Sequence, residues 1–407
     1  MKILLASFFE LPKTGGLWTY MCQLKRGLEQ LGHTVDIFSR SSGPDRYKIM
    51  NGESAVHREN FQKVIEPHVL RALSASSPQT PLWIMNQEIE RYKYEAAACS
   101  FNLKQYDIIH TQDIISTYSF SRIKPSTCPL IATIHASLSF EWRHALSHLF
   151  RSNPLFHQYG LMLEHLGASS SDKTIVPSRW LKEYLMDNFH VPSDKLVVIP
   201  NGIDVPYFRE LMMRQTNIKR PNNKIVFASV ARLAYEKGIS CLLDALGKLN
   251  ATRDDWNLWL IGEGPLQQEL KEQCETLKIS NQVKFLGSRD DVPALLKQAD
   301  MFLLSSIQET FGYSILEAQL AGVPVIVPKT GGISEVVHHK KTGLFFPTGD
   351  SEALLANIKL LLADNKLKTN IIEQAKLTVS TKFSTTTTTK KVLDIYRLQQ
   401  LLNAGAR

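Results

Sequence analysis

Short apolar runs recur along this chain, each followed by a turn signal and then by a stretch of helical period. In the first half they fall at residues 2–7, 33–39, 106–110, 129–134, 173–177 and 196–199. In the second half they fall at 224–230, 256–261, 283–286, 301–304 and 323–327. Unbroken apolar runs of this length read as strands buried on both faces. Their alternation with helices over 17–31, 179–188, 239–249 and 390–402 predicts α/β architecture with parallel sheets. Residues 40–101 break the rhythm: turn signals and scattered basic and aromatic residues (Arg46, Tyr47, Trp83, Arg91, Tyr92, Tyr94) replace clear strand patterning. That region is read as a structural excursion or as part of an acceptor-binding surface.

One stretch carries more chemistry than the rest. The run 301–304 leads into Glu309-Thr310-Phe311-Gly312-Tyr313-Ser314-Ile315-Leu316-Glu317, then into Ala318–Ala321, Gly322 and the run 323–327. This predicts strand, loop, a short helix stopped by glycine, and strand. Ligands of parallel sheets sit at the carboxyl ends of strands, where helix N-termini offer unsatisfied N–H groups. On a continuous helix Glu309 and Glu317 would lie about 12 Å apart along the axis and roughly 80° apart around it. A diphosphate at the helix start could then have a carboxylate on either side, each accepting from sugar or ribose hydroxyls. The spacing alone also fits a helix-start residue and a solvated helix-face residue.

The motif resembles the Glu-x7-Glu signature of glycosyltransferase family 4, and the rest of the chain carries further residues of that pattern. The resemblance implies the GT-B architecture: two facing Rossmann-like domains with an interdomain cleft. Pro200-Asn201-Gly202-Ile203-Asp204-Val205-Pro206 is similar to the family's interdomain crossover. The expected domains are 1–202 on the acceptor side, 203–385 for the nucleotide sugar, and a terminal helix over 386–407 packing back on the first domain. Gly16, closing Thr14-Gly15-Gly16, matches the family's phosphate-contacting loop, and His135 matches a histidine near the donor sugar. Arg232 and Lys237 share the turn after the run 224–230 and suit a departing diphosphate. Gly262 ends the next strand, and Arg289 lies in a loop that relatives place near the base. The implied assignments are His135, Arg232, Lys237 and Glu309 for catalysis. Gly16, Arg232, Lys237, Gly262, Arg289, Glu309, Phe311, Gly312 and Glu317 are assigned to donor binding.

The implied reaction is transfer of a sugar from a nucleoside diphosphate, UDP favoured and GDP the other option, to a sugar, lipid or polymer acceptor with retained anomeric configuration. No covalent nucleophile stands out and no Asp-x-Asp triplet occurs. The expected donor chemistry therefore uses neither a metal nor a further cofactor. The competing readings are a nucleotide-sugar epimerase of similar fold and a non-catalytic nucleotide-sugar or glycan binder. The joint presence of all the motif residues disfavours the latter.

Composition adds limits rather than identity. At 407 residues two cores are the natural expectation. The net charge of +8 suits an anionic ligand or membrane surface. Without a basic block interleaved with aromatics, a nucleic-acid partner is not expected. Five dispersed cysteines without a Cys-x-x-Cys pair point to a reducing compartment, hence a cytoplasmic protein. His144 and His148 are spaced i, i+4 without a third ligand, so metal binding is not expected there. Arg143 and Arg151 beside Leu and Phe leave open a peripheral membrane contact. Oligomeric state is not legible.

Overall fold

The computed structural model describes residues 1–12, 15–41, 45–50, 55–76, 79–145 and 153–405. His148 and Arg151 of the expected amphipathic patch, and Thr14 of the glycine turn, lie outside the described residues. The chain divides into two compact units. One holds residues 1–13, 17–199 and 389–407; the other holds 200–388 and takes in 14–16.

The first unit is built on a sheet that has, among the described residues, eight strands in the order β4-β3-β2-β1-β5-β6-β7-β8. These are β1 (Lys2–Leu11), β2 (Thr34–Ser41), β3 (Arg46–Met50), β4 (Ala55–His57), β5 (Ile108–Thr111), β6 (Leu130–Thr133), β7 (Lys173–Val176) and β8 (Leu196–Val198). Strands β1, β2 and β5–β8 pair in parallel, as the buried apolar runs require. β3 and β4 extend the sheet antiparallel from β2, a departure from the purely parallel expectation.

The excursion over 40–101 therefore contains a hairpin and two helices, Glu59–Ser76 and Leu82–Cys99. The second of these hid from the hydrophobic pattern because it buries charge. Arg91, Lys93 and Glu95 are each less than a tenth exposed. Arg91 forms ion pairs with Glu88 and Glu95, and Lys93 pairs with Glu90 at 3.1 Å. Arg91 also lies 4.3 Å from the Tyr92 ring and 5.0 Å from the Tyr118 ring. Buried charges that satisfy one another disguise a core helix as a polar segment.

The second unit has, among the described residues, a six-stranded sheet in the order β11-β10-β9-β12-β13-β14. Its strands are β9 (Ile225–Val230), β10 (Trp256–Ile261), β11 (Val283–Gly287), β12 (Met301–Leu303), β13 (Val325–Pro328) and β14 (Leu344–Phe346), all parallel. Trp256 to Ile261 are buried without exception, so no polar alternation is left in that strand. The helices Ile239–Asn250 and Ser351–Ala363 contribute Leu242, Leu243, Leu246, Leu354 and Ile358 to one core face. The helix Tyr313–Ala321 contributes Ile315 and Leu316 to the other. The last helix, Thr385–Gly405, seats Val392, Leu393 and Tyr396 in the core of the first unit. No helix among the described residues is long and apolar enough to cross a membrane.

Candidate active site

In the second unit the turns after β9, β10, β12 and β13 come together at the carboxyl edge of the sheet. Beyond β9 the chain makes a single 3-10 turn, Tyr235–Lys237. Arg232 donates from Nε (3.2 Å) and a terminal nitrogen (2.6 Å) to Oε1 of Glu236, which is itself buried. Lys237 Nζ lies 2.7 Å from Glu309 Oε2, so the turn after β9 is ion-paired to the loop after β12. Ser306 Oγ also donates toward Glu309 Oε2 at 3.5 Å.

The backbone carries the same connection. Ile307 N donates to Glu236 O at 2.8 Å, and Ser305 Oγ donates to Lys237 O at 3.2 Å. Gly332 N donates to Glu309 O at 2.9 Å. A Cβ on Gly331, where φ is +54°, would stand 1.9 Å from that same Glu309 oxygen, so the turn after β13 can hold Glu309 only with glycine there.

Gly312 is the N-cap of the helix Tyr313–Ala321, and no side chain caps that end. An uncapped N-terminus following a loop that is ion-paired to Lys237 is an arrangement suited to an anion. Phe311 is buried in the core with its ring edge-on to Phe383 at 5.8 Å, so its side chain serves packing. Glu317 lies within the helix, and burial pushes its carboxyl up to about 7.

Two expected contacts turn out to have internal partners. Gly262 lets β10's end approach the turn after β9: a Cβ there would sit 2.1 Å from Ala231 O. Arg289 is clamped by both oxygens of Asp291 at 2.6 Å and by Asn217 at 2.7 Å, so it fixes the loop after β11. Gly16 begins the helix Gly16–Gln30, with open space where its Cβ would be. The residues that sequence reasoning missed are Glu236, Ser306 and Gly331. Glu236 stood four residues beyond Arg232 and next to Lys237, a carboxylate in the right place to orient the guanidinium.

In the first unit His135 follows β6. Its Nε2–H donates to Gln112 Oε1 at 3.3 Å, because an amide oxygen can only accept. The Tyr20 ring meets the imidazole edge-to-face at 4.7 Å. Burial lowers the histidine to about 4, so the ring is neutral near pH 7.

Two family models account for most of the chain. Residues 14–206 match "Glycosyltransferase Family 4" and 213–378 match "Glycosyl transferases group 1". The chain belongs to this glycosyltransferase family. It is similar over 98% of its length to an uncharacterised glycosyltransferase of Methanocaldococcus jannaschii, at 27% identity over 98% of that protein. It is 25% identical to the alpha-monoglucosyldiacylglycerol synthase of Streptococcus pneumoniae, over 93% of this chain and 82% of the relative. Among solved structures, sucrose-phosphate synthase from Thermosynechococcus elongatus superposes with a TM-score of 0.75 at 21% identity, covering 99% of each chain. Anabaena HepE in complex with UDP superposes at 0.66 with 21% identity, over 97% of this chain and 99% of that one. The fold is GT-B, and this glycosyltransferase is a transferase enzyme.

Proposed function

We propose that this glycosyltransferase moves a sugar from a nucleoside diphosphate, UDP in the first instance, to an acceptor hydroxyl with retention of anomeric configuration. The observation that carries the reading is the edge formed by the turn after β9 and the loop after β12: Arg232 oriented by Glu236, Lys237 ion-paired to Glu309, and the uncapped start of Tyr313–Ala321 four residues beyond Glu309. Such a site offers two N–H-rich cations that can donate to phosphate oxygens. The cations gain most as negative charge develops on the leaving diphosphate, which is differential stabilisation of the transition state.

Glu309 accepts from donor-sugar hydroxyls while Lys237 keeps it oriented. Glu317 accepts from the ribose. His135, neutral with its proton on Nε2, contributes a polar contact to a sugar hydroxyl and adds no positive charge at the reacting carbon. The phosphate itself assists deprotonation of the acceptor, and no resident metal is needed in this scheme. Support for retention comes from relatives whose names specify α-linked products, among them an Escherichia coli alpha-1,3-galactosyltransferase that uses UDP-Gal. Where the donor sugar is α-linked to its diphosphate, an α product is retention. Support for UDP comes from the structural neighbour in complex with it.

Thermal-shift binding against UDP, GDP, ADP and dTDP, with and without their sugars, tests the donor class. At 100 times its dissociation constant one nucleotide should add about 2.7 kcal/mol to stability. No response to any nucleotide at millimolar concentration would overturn the reading.

A further inference from the structure

Beneath the carboxyl edge of the first sheet runs a chain of buried polar side chains that the reaction scheme does not use. Tyr396, on the terminal helix, has its hydroxyl 2.6 Å from His110 Nδ1. His110 Nε2 is 2.7 Å from Thr133 Oγ1, and Thr133 Oγ1 is 3.5 Å from the Tyr20 hydroxyl. The Tyr20 ring is the one that abuts His135. A second limb leaves the backbone of the same histidine: Gln112 Nε2 donates to His110 O at 3.3 Å, and Gln112 Oε1 accepts from His135. Tyr396 and His110 are 0% exposed, and Thr133, Gln112 and Tyr20 are no more than 3% exposed.

We propose that Tyr396 is a positioning residue for His135, acting through His110, Thr133 and Tyr20. The proposal rests on the role given to His135 above. Desolvation pushes His110 down to about 3, with His135 nearby adding to the effect, so its ring is neutral. A neutral imidazole has one donor and one acceptor, so the two bonds of His110 must run in one direction. Either Tyr396 donates to Nδ1 while Nε2–H donates to Thr133, or both bonds reverse together. The hydroxyl on the terminal helix is thereby coupled to the proton position on His110 and to Thr133, whose hydroxyl reaches Tyr20, the ring against which His135 sits. Apolar residues of similar shape would fill this space without desolvating a hydroxyl or an imidazole. A connected polar chain instead holds its ring positions in register through directional bonds.

The experiment uses the full chain with histidine-selective 15N labelling. Tyr396→Phe keeps the ring and removes the hydroxyl; Thr133→Val breaks the chain in the middle. Leu393→Ala, in the same helix and the same core, disturbs packing while leaving every hydrogen-bonding group of the chain in place. The expected result is that both chain variants move the ring-nitrogen signals of His110 and His135. They should lower kcat by about 3- to 10-fold, the scale of one hydrogen bond, with the donor KM unchanged. Leu393→Ala should lower Tm and leave the His135 signals and kcat in place.

Unmoved His135 signals in Tyr396→Phe, or equal movement in Leu393→Ala, would overturn the proposal. His135→Asn separates the two claims. Full turnover in that variant, with the signals of the wild-type ring still responding to Tyr396→Phe, would remove the catalytic role of His135 and uphold the coupling.

Discussion

Each cation of the candidate site is held by a carboxylate, and the two pairs differ in a way that makes them separable. Arg232 is half exposed and turned by Glu236, whereas Lys237 and Glu309 are largely buried against each other. Arg232→Ala should lower kcat/KM on the order of 100- to 1,000-fold, the range of a lost transition-state donor. Glu236→Gln, which keeps a hydrogen-bond acceptor but loses the charge, should lose far less. Steady-state kinetics on the two variants checks the order, and near-normal turnover in Arg232→Ala would remove it from the site.

Glu317 allows a pH test. Its carboxyl is raised to about 7 by burial, while ribose hydroxyls donate to the ionised form. Binding must therefore expel a proton below pH 7, so affinity weakens as pH falls. The dissociation constant for UDP should rise about 5-fold between pH 7 and pH 6, because the carboxyl goes from half to almost wholly protonated over that unit. Glu317→Gln should flatten that slope in calorimetric titrations.

At the scale of elements, the parts that obeyed a period were legible and the parts that traded periodicity for contacts were not. The strands at 225–230, 256–261 and 301–303 fall where the apolar runs predicted, and the helix after Gly312 starts and stops at its glycines. The helix Leu82–Cys99 was invisible because Arg91, Lys93 and Glu95 occupy core positions. β1 was read too short, because it continues past Ser7 to Leu11 through an irregularity between Ala6 and Glu10. Within the site, the turn residues were read from glycine and charge, but which turns bind one another is long-range information. Gly262 and Arg289 were read as donor contacts from their loops alone; that Gly262 also packs on Ala231 and Arg289 is also tied to Asp291 depends on partners far along the chain or on the local fold.

Gly331 states the dependence most sharply. Alanine there must displace Glu309 O or abandon the left-handed backbone. Strain of this kind is on the order of 1–3 kcal/mol. Gly331→Ala should lower Tm and also weaken nucleotide-sugar binding more than free-nucleotide binding, because the Glu309 loop is what moves. Equal loss for both ligands would mean the strain relaxes elsewhere.

For the whole molecule, the GT-B fold gives two largely parallel sheets of unequal chemistry. The second unit assembles its charges on the turns after β9 and β12, which glycines after β10 and β13 allow to approach closely and backbone hydrogen bonds tie together. The first unit instead buries its polar groups under the sheet edge and ends them at a neutral histidine. Nucleotide should therefore act on the molecule locally. Hydrogen exchange with UDP at 100 times its dissociation constant should show protection concentrated in residues 231–238, 305–317 and 330–333. The amides of β5 and β6, already buried and paired, should exchange as they do without ligand. Protection spread evenly over both sheets would instead mean that the nucleotide raises global stability without engaging these turns. Protection confined to the loop 287–291 would move the diphosphate away from Arg232 and Lys237. The measurement reads the location of the donor directly, and it needs no knowledge of the acceptor.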